Sequence, residues 1–180
     1  MIVLRQAIMR KDWPAVLARL TTHAGEVAIA GARGYLPLHW AASNEYRAPL
    51  EMMQALLDAH PAAVSTPNVR GALPLHWAVY KEALVDVVKL LLRAYPEAAY
   101  VATTYGDLPL HDATITPTTA SLEVVVALLA AYPEAALVRE NDGRLPDLSR
   151  YPPHAIRAAL AAASAARRAP ALLAWHRLRA

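Results

Sequence analysis

Leu73-Pro74-Leu75-His76-Trp77-Ala78 decides how this chain folds, because the same six residues stand at Leu36-Pro37-Leu38-His39-Trp40-Ala41. They return with one change as Leu108-Pro109-Leu110-His111-Asp112-Ala113 and decay to Leu145-Pro146-Asp147-Leu148. The opening leucines lie 37, 35 and 37 residues apart, a period that marks stacked modules. A second landmark keeps step with the first. The pairs Arg19-Leu20, Leu56-Leu57, Leu91-Leu92 and Leu128-Leu129 each end 16 residues before the next opening leucine. The segment after the second helix of a unit is therefore constant, and length varies only between the two helices.

Within each unit the residues prescribe two helices and a turn. Pro37, Pro74 and Pro109 fall at a first helical position, where φ is already near the helical value and the missing N–H costs little. Outer helices follow at about Leu50–His60 and at the corresponding places of the next two units. Their expected buried stripes are Leu50, Met53 and Leu57, then Val85, Val88 and Leu92, then Leu122, Val125 and Leu129. Ser121 is the expected N-cap of the third, with Glu123 favourable in its first turn. Pro61, Pro96 and Pro133 stop the outer helices. Gly34, Gly71, Gly106 and Gly143, always two residues before the opening leucine, then permit a tight turn with positive φ.

The leucine at each N-cap cannot accept a backbone hydrogen bond as Thr would, a loss of about 1 kcal/mol per helix. Stacking of these leucines between units is expected to recover it, since burying one is worth about 1.5–3 kcal/mol.

The repeats resemble the ankyrin repeat, whose signature is Thr-Pro-Leu-His-x-Ala; here Leu replaces the Thr and each unit is two to four residues longer. The resemblance covers roughly residues 1–165. It implies an all-α ankyrin-repeat solenoid of stacked helix–turn–helix units with short β-hairpin-like tips. The glycine usual at the end of the outer helix is replaced by proline. The expected organisation of this single domain is an N-terminal capping unit (1–33), three repeats (34–70, 71–105, 106–142), a degenerate C-terminal cap (143–168) and a basic tail (169–180). In the first unit, helices at 2–10 and 13–22 are expected, with Asp12 as N-cap and Pro14 in the first turn. In the last, Tyr151-Pro152-Pro153 cuts the inner helix short, a helix from about Pro153 to Arg168 closes the stack, and Pro170 is expected to break it.

Bulk properties narrow the function. The chain has 180 residues, one domain's worth, and is 56 % hydrophobic, much of it Ala. It contains no cysteine, so neither disulfides nor thiolate metal sites arise. No apolar run reaches the ~18 residues that span a bilayer, and Arg5, Arg10, Lys11 and Asp12 interrupt any signal-peptide core. An intracellular protein, cytoplasmic or nuclear, and a monomer, is the expectation.

Catalytic chemistry finds no foothold. No Gly-x-Ser-x-Gly elbow, P-loop or Gly-x-Gly-x-x-Gly occurs. His39, His76 and His111 sit one repeat apart, about 8–10 Å between packed helices, too far to share a zinc ion that needs ligands at ~2.0–2.1 Å. They are expected to be semi-buried and bonded to backbone. Asp112, in the place of Trp40 and Trp77, is expected to face solvent where the third unit is splayed, the alternative being that it touches a ligand. No enzyme activity, cofactor, metal or small-molecule substrate is expected.

The resemblance implies binding of another protein through the concave face, built from the tips and the exposed side of the inner helices. Carried over by position, the tips are Ala32-Arg33, Val69-Arg70, Thr104-Tyr105 and Asn141-Asp142. The residues after each glycine add Tyr35, Ala72, Asp107 and Arg144, and the inner helices add Ser43-Asn44, Tyr80-Lys81 and Ile115-Thr116. Tyr and Arg are enriched at binding hot spots. Charge divides along this face. Arg33, Arg70 and Lys81 lie toward the N-terminal half, and Asp107, Asp112, Glu140 and Asp142 toward the C-terminal half, with Arg144 the exception. An alternative partner is an anionic one, nucleic acid or a membrane surface, held by Arg150, Arg157, Arg167, Arg168, Arg177 and Arg179, a stretch without a single acid.

Overall fold

Each Leu-Pro-Leu-His segment starts a helix in the computed structural model, which describes residues 3–43, 45–115 and 120–177, with side chains described as far as residue 166. The inner helices are α1 (Leu4–Met9), α3 (Pro37–Ala41), α5 (Pro74–Tyr80) and α7 (Pro109–Ile115). The outer helices are α2 (Trp13–Thr22), α4 (Leu50–Ala59), α6 (Val85–Ala94) and α8 (Leu122–Ala131), and α9 (Pro153–Arg177) follows them. Inner helices pack on inner and outer on outer in chain order, and α9 closes against α8. The inner place of the last unit shrinks to one 3₁₀ turn, Leu148–Arg150. Two bonds dock that unit on the third repeat: the Tyr151 hydroxyl donates to the Ala120 carbonyl at 2.9 Å, and Thr114 Oγ1 accepts from the Asp147 N–H at 3.1 Å. Among the described residues there is no strand, and no helix long and apolar enough to cross a membrane.

The caps follow the residue types. Asp12 accepts from the Ala15 N–H at 3.1 Å and Ser121 from the Val124 N–H at 3.3 Å. Pro61, Pro96 and Pro133 end the outer helices, but each opens a 3₁₀ turn, Pro61–Ser65, Pro96–Tyr100 and Pro133–Leu137, before the chain extends. Pro170 does not end α9, which runs on to Arg177.

The buried stripe of the outer helices is wider than expected and shifted. It comprises Met52, Met53, Leu56 and Leu57 in α4, Val87, Val88, Leu90 and Leu91 in α6, and Val124, Val125, Leu128 and Leu129 in α8. Leu50 is 38 % exposed, and Val85 and Leu122 are half-buried. An outer helix touches its own inner helix and two outer neighbours, so adjacent pairs of residues must be apolar, while the residue that starts it projects past the inner helix.

Leu36, Leu73 and Leu108 are buried between units, as the cap argument requires, whereas Leu145 at the end of the series is exposed. The backbone N–H of each buried N-cap leucine is served by the histidine three residues on. The N–H of Leu36, Leu73 and Leu108 donates to Nδ1 of His39, His76 and His111 at 3.1, 3.1 and 3.0 Å. The other ring nitrogen crosses to the next unit for the first two, Nε2 of His39 to the Ala72 carbonyl and of His76 to that of Asp107, both at 3.2 Å, whereas Nε2 of His111 reaches the Val138 carbonyl at the end of its own repeat at 3.1 Å. Nδ1 accepts and Nε2 donates, so each ring is neutral with its proton on Nε2. The rings are buried, not semi-buried as expected. Burial pushes the pKa of His39 and of His76 down to about 4, and that of His111 downward.

The glycine tips form a second seam. All four glycines have φ between 73 and 84°. The tips join by single backbone bonds: Val69 N–H to the Arg33 carbonyl at 3.1 Å, Thr104 to Arg70 at 2.9 Å, and Asn141 to Tyr105 at 3.0 Å. The glycine corners therefore align along one edge of the stack.

Two consequences are measurable. A histidine whose folded pKa is depressed stabilises the fold above its unfolded pKa of about 6.5 and ceases to as pH falls toward 4, because only the unfolded chain takes up the proton. The loss is on the order of 3 kcal/mol per ring by pH 4. Thermal unfolding should show a steep fall in Tm between pH 7 and 4.5, and a flat profile would contradict the neutral bridge. A Cβ on Gly106 would lie 2.8 Å from the Asn141 backbone nitrogen, whereas one on Gly143 meets nothing within 4 Å. Gly143→Ala should cost only the left-handed penalty of about 1–2 kcal/mol, and Gly106→Ala distinctly more in denaturant titrations.

Candidate binding cleft on the concave face

The short inner helices and the aligned tips leave a concave surface, and its centre is a cleft of about 380 Å³. Its wall on the N-terminal side is aromatic. Tyr35 lies 5.1 Å from Trp40 and 4.9 Å from Trp77 between ring centroids, and Trp77 lies 5.9 Å from Tyr80. The rings stack because Trp40 and Trp77 hold equivalent places on α3 and α5. The Lys81 ammonium sits over Trp77 at 5.0 Å and over Tyr80 at 5.5 Å, a cation–π arrangement that leaves its charge without a carboxylate. Arg33 and Arg70 border the same cleft from the tips and are exposed.

The wall on the C-terminal side is acidic. Asp107 and Asp112 line the cleft, and Glu140 stands on the next tip. Asp107 is anchored through Thr103, whose Oγ1 donates to Asp107 Oδ2 at 3.3 Å, while Asp107 Oδ1 is buried and closes no hydrogen bond of good geometry, with Glu140 within electrostatic reach. Glu140 lies 3.5 Å from Arg144 Nε, yet its pKa is raised, first by a hydrogen bond shared with Asp107. Asp112 has its pKa raised well above the carboxylate range, first by desolvation and then by the charges of Asp107 and Glu140. Among the described residues, no group of three or more His, Asp or Glu side chains has the geometry to hold a metal ion.

Nine of the residues singled out by position meet in this cleft: Arg33, Tyr35, Arg70, Ala72, Tyr80, Lys81, Tyr105, Asp107 and Ile115. Val69, Asn141, Asp142 and Arg144 are exposed on the tips outside it. Asn141 is partly spent on the stack itself, its Nδ2 donating to the Thr104 carbonyl at 3.1 Å. Ser43 is 2 % exposed and cannot present its side chain, because α3 has ended at Ala41 and the hydroxyl caps the turn by accepting from the Glu45 N–H at 3.2 Å. Asn44 and Thr116 lie outside the described residues. Asp112 does not face bulk solvent: α7 packs directly on α5, and the carboxyl is turned into the cleft.

Trp77 and Asn68 border the cleft although position in the repeat did not mark them as contacts. The signal was present for the tryptophans, since an aromatic kept at a half-buried helical place is seldom mere filler. Along the arginine-rich C-terminal stretch, Arg150 lies 3.5 Å from Asp147 and Arg157 is exposed.

Stacked helix pairs, a seam of joined tips and a grooved inner face define a helical repeat array. Ankyrin repeats (three copies) match residues 4–104 and 38–141, so the chain belongs to the ankyrin repeat family. Proteins of this family are generally protein–protein interaction modules and typically non-catalytic. Comparison with curated proteins gave no match.

The ionisation of Asp112 is costly to the fold, since a raised carboxyl pKa means stability declines as pH rises above 3.8. Asp112→Asn should raise Tm at pH 7 by about 2–4 °C, the shift that about 1 kcal/mol produces in a domain of this size. The gain should vanish near pH 3.5, where Asp is protonated folded or unfolded.

Proposed function

We propose that this array binds an extended segment of another protein along its concave face, without catalysis. An acidic portion of that segment lies toward Arg33 and Arg70, and a basic portion toward Asp107 and Asp112. The observation that carries the reading is the cleft itself, in which exposed cations and withdrawn carboxyls face one groove without pairing. Among the described residues no ion pair joins Lys81, Arg33 or Arg70 to Asp107 or Asp112. Charge left uncompensated on both walls favours a guest with the opposite polarity and fixes its direction, acting on orientation and on-rate more than on affinity. Tyr35, Trp77 and Tyr80 supply the rigid aromatic anchors that dominate interface energetics.

Selection from a displayed random peptide library against the immobilised chain tests this. Enriched peptides should carry acidic and basic residues in a fixed order and should shift amide resonances of the cleft residues. Arg33→Glu combined with Arg70→Glu should slow association about tenfold or more at low salt, with little change at high salt. Equal association rates for variant and parent would overturn the assigned direction.

A further inference from the structure

We infer that Asp112 is the receptor for one arginine side chain of the bound segment. This rests on the concave-face reading above and names the chemistry of its C-terminal subsite. The argument begins with the repeat. At the place of Asp112 the two preceding units carry Trp40 and Trp77, which meet edge to face with their centroids 6.3 Å apart. α7 continues the inner row beyond α5, so Asp112 stands where a third ring would extend that ladder. An anion next to an aromatic face suits a planar cation, which can stack on the ring and accept no proton from the acid. Guanidinium does this better than ammonium, being weakly hydrated, planar and able to fork two N–H donors onto one carboxylate.

The site is built but unfilled by the protein's own groups. Asp112 is half-buried and lines the cleft, and among the described residues it makes no hydrogen bond or ion pair. On the same wall Asp107 Oδ1 is buried and closes no hydrogen bond of good geometry, which is rare in a native fold because its desolvation is not offset. The surroundings of Asp112 add to the deficit of positive charge. From the tips, Asp107 and Glu140 repel it. From α5, the His76 ring is neutral, and Lys81 is held over the aromatic rings. Arg144 acts on Glu140 rather than on Asp112, and Arg70 stands with the basic wall. α8 packs on α7 and contributes no residue to the cleft. A second polar group points the same way. Asn68 is 6 % exposed and borders the cleft, and its Nδ2 closes no hydrogen bond of good geometry, although the Tyr35 hydroxyl is within electrostatic reach. An amide donor on one wall and a bare carboxyl on the other match the carbonyl and the side chain of a single extended residue.

Proton linkage follows. The arginine charge favours the ionised form of Asp112, so binding expels the proton that Asp107 and Glu140 help to retain, and affinity should rise with pH.

The test is an NMR titration of the full chain with N-acetyl-arginine amide, N-acetyl-lysine amide and N-acetyl-glutamine amide, at pH 5 and pH 7.5. The arginine amide should shift the Asp112, Tyr105 and Trp77 indole resonances saturably, more tightly at pH 7.5. The lysine amide should bind more weakly and the glutamine amide not at all. Asp112→Asn should weaken the arginine amide about tenfold to a hundredfold, the loss of one charge-assisted buried hydrogen bond. Glu140→Gln should weaken it by less, and it serves if Asp112→Asn fails to fold. Equal shifts from the glutamine amide, no saturable shift from the arginine amide, or an unchanged response in both variants would each overturn the assignment. Lysine amide binding as tightly as arginine amide would overturn the choice of guanidinium. If the subsite fails while library peptides still occupy the cleft, the concave-face reading stands. If the arginine amide binds but no peptide is selected there, that reading falls alone.

Discussion

A neutral imidazole that joins three pieces of backbone is the interaction on which this array depends. The Pro that starts each inner helix leaves a leucine at the N-cap, and a leucine has nothing to offer the orphan N–H groups of a helix start. The histidine three residues on accepts its N–H and spends its own proton on the next unit's carbonyl. One side chain thus caps its own helix and ties it to the neighbouring repeat. Because the ring must accept on one nitrogen and donate on the other, it tolerates no second proton, and its surroundings are dry enough to enforce that. Two such bridges, at His39 and His76, make adjacent units interdependent, and His111 fastens its helix to the far end of its own repeat.

Running parallel to the histidines, the glycine corners hold the tips at backbone-contact distance. A left-handed residue is needed at each corner, and Cβ atoms on Gly34, Gly71 or Gly106 would press on the backbone of the following tip. The two seams fix one edge and the middle of the stack, and the outer helices fill the remainder with Val, Leu and Met. What is left open is the inner face, where the chain concentrates its tyrosines, tryptophans and uncompensated charges.

That face is at odds with stability. Carboxyls at Asp107, Asp112 and Glu140 raise one another's cost, and Lys81, the nearest candidate for a counter-ion among the inner helices, is committed to aromatic rings. A sequence selected for folding alone would place a third Trp, or an Asn, at position 112. The energy stored in that misfit is available to a guest that supplies the missing charge.

Local chemistry was enough to read the repeat from the chain alone: Pro at N1, Gly at the corners, Asp12 and Ser121 as caps, and a spacing constant between landmarks. These depend on residues within a few positions of one another, and the same physics acts before and after folding. The width of the outer-helix stripe, the burial of Ser43 and the inward turn of Asp112 depend instead on what a neighbouring unit places opposite each side chain. The sequence alone determined the repeat and which residues could reach the concave face. Only the tertiary structure decided which of them share a cleft and which carboxyl is drawn into it, because burial and charge interaction arise between segments that folding brings together from neighbouring turns of the repeat.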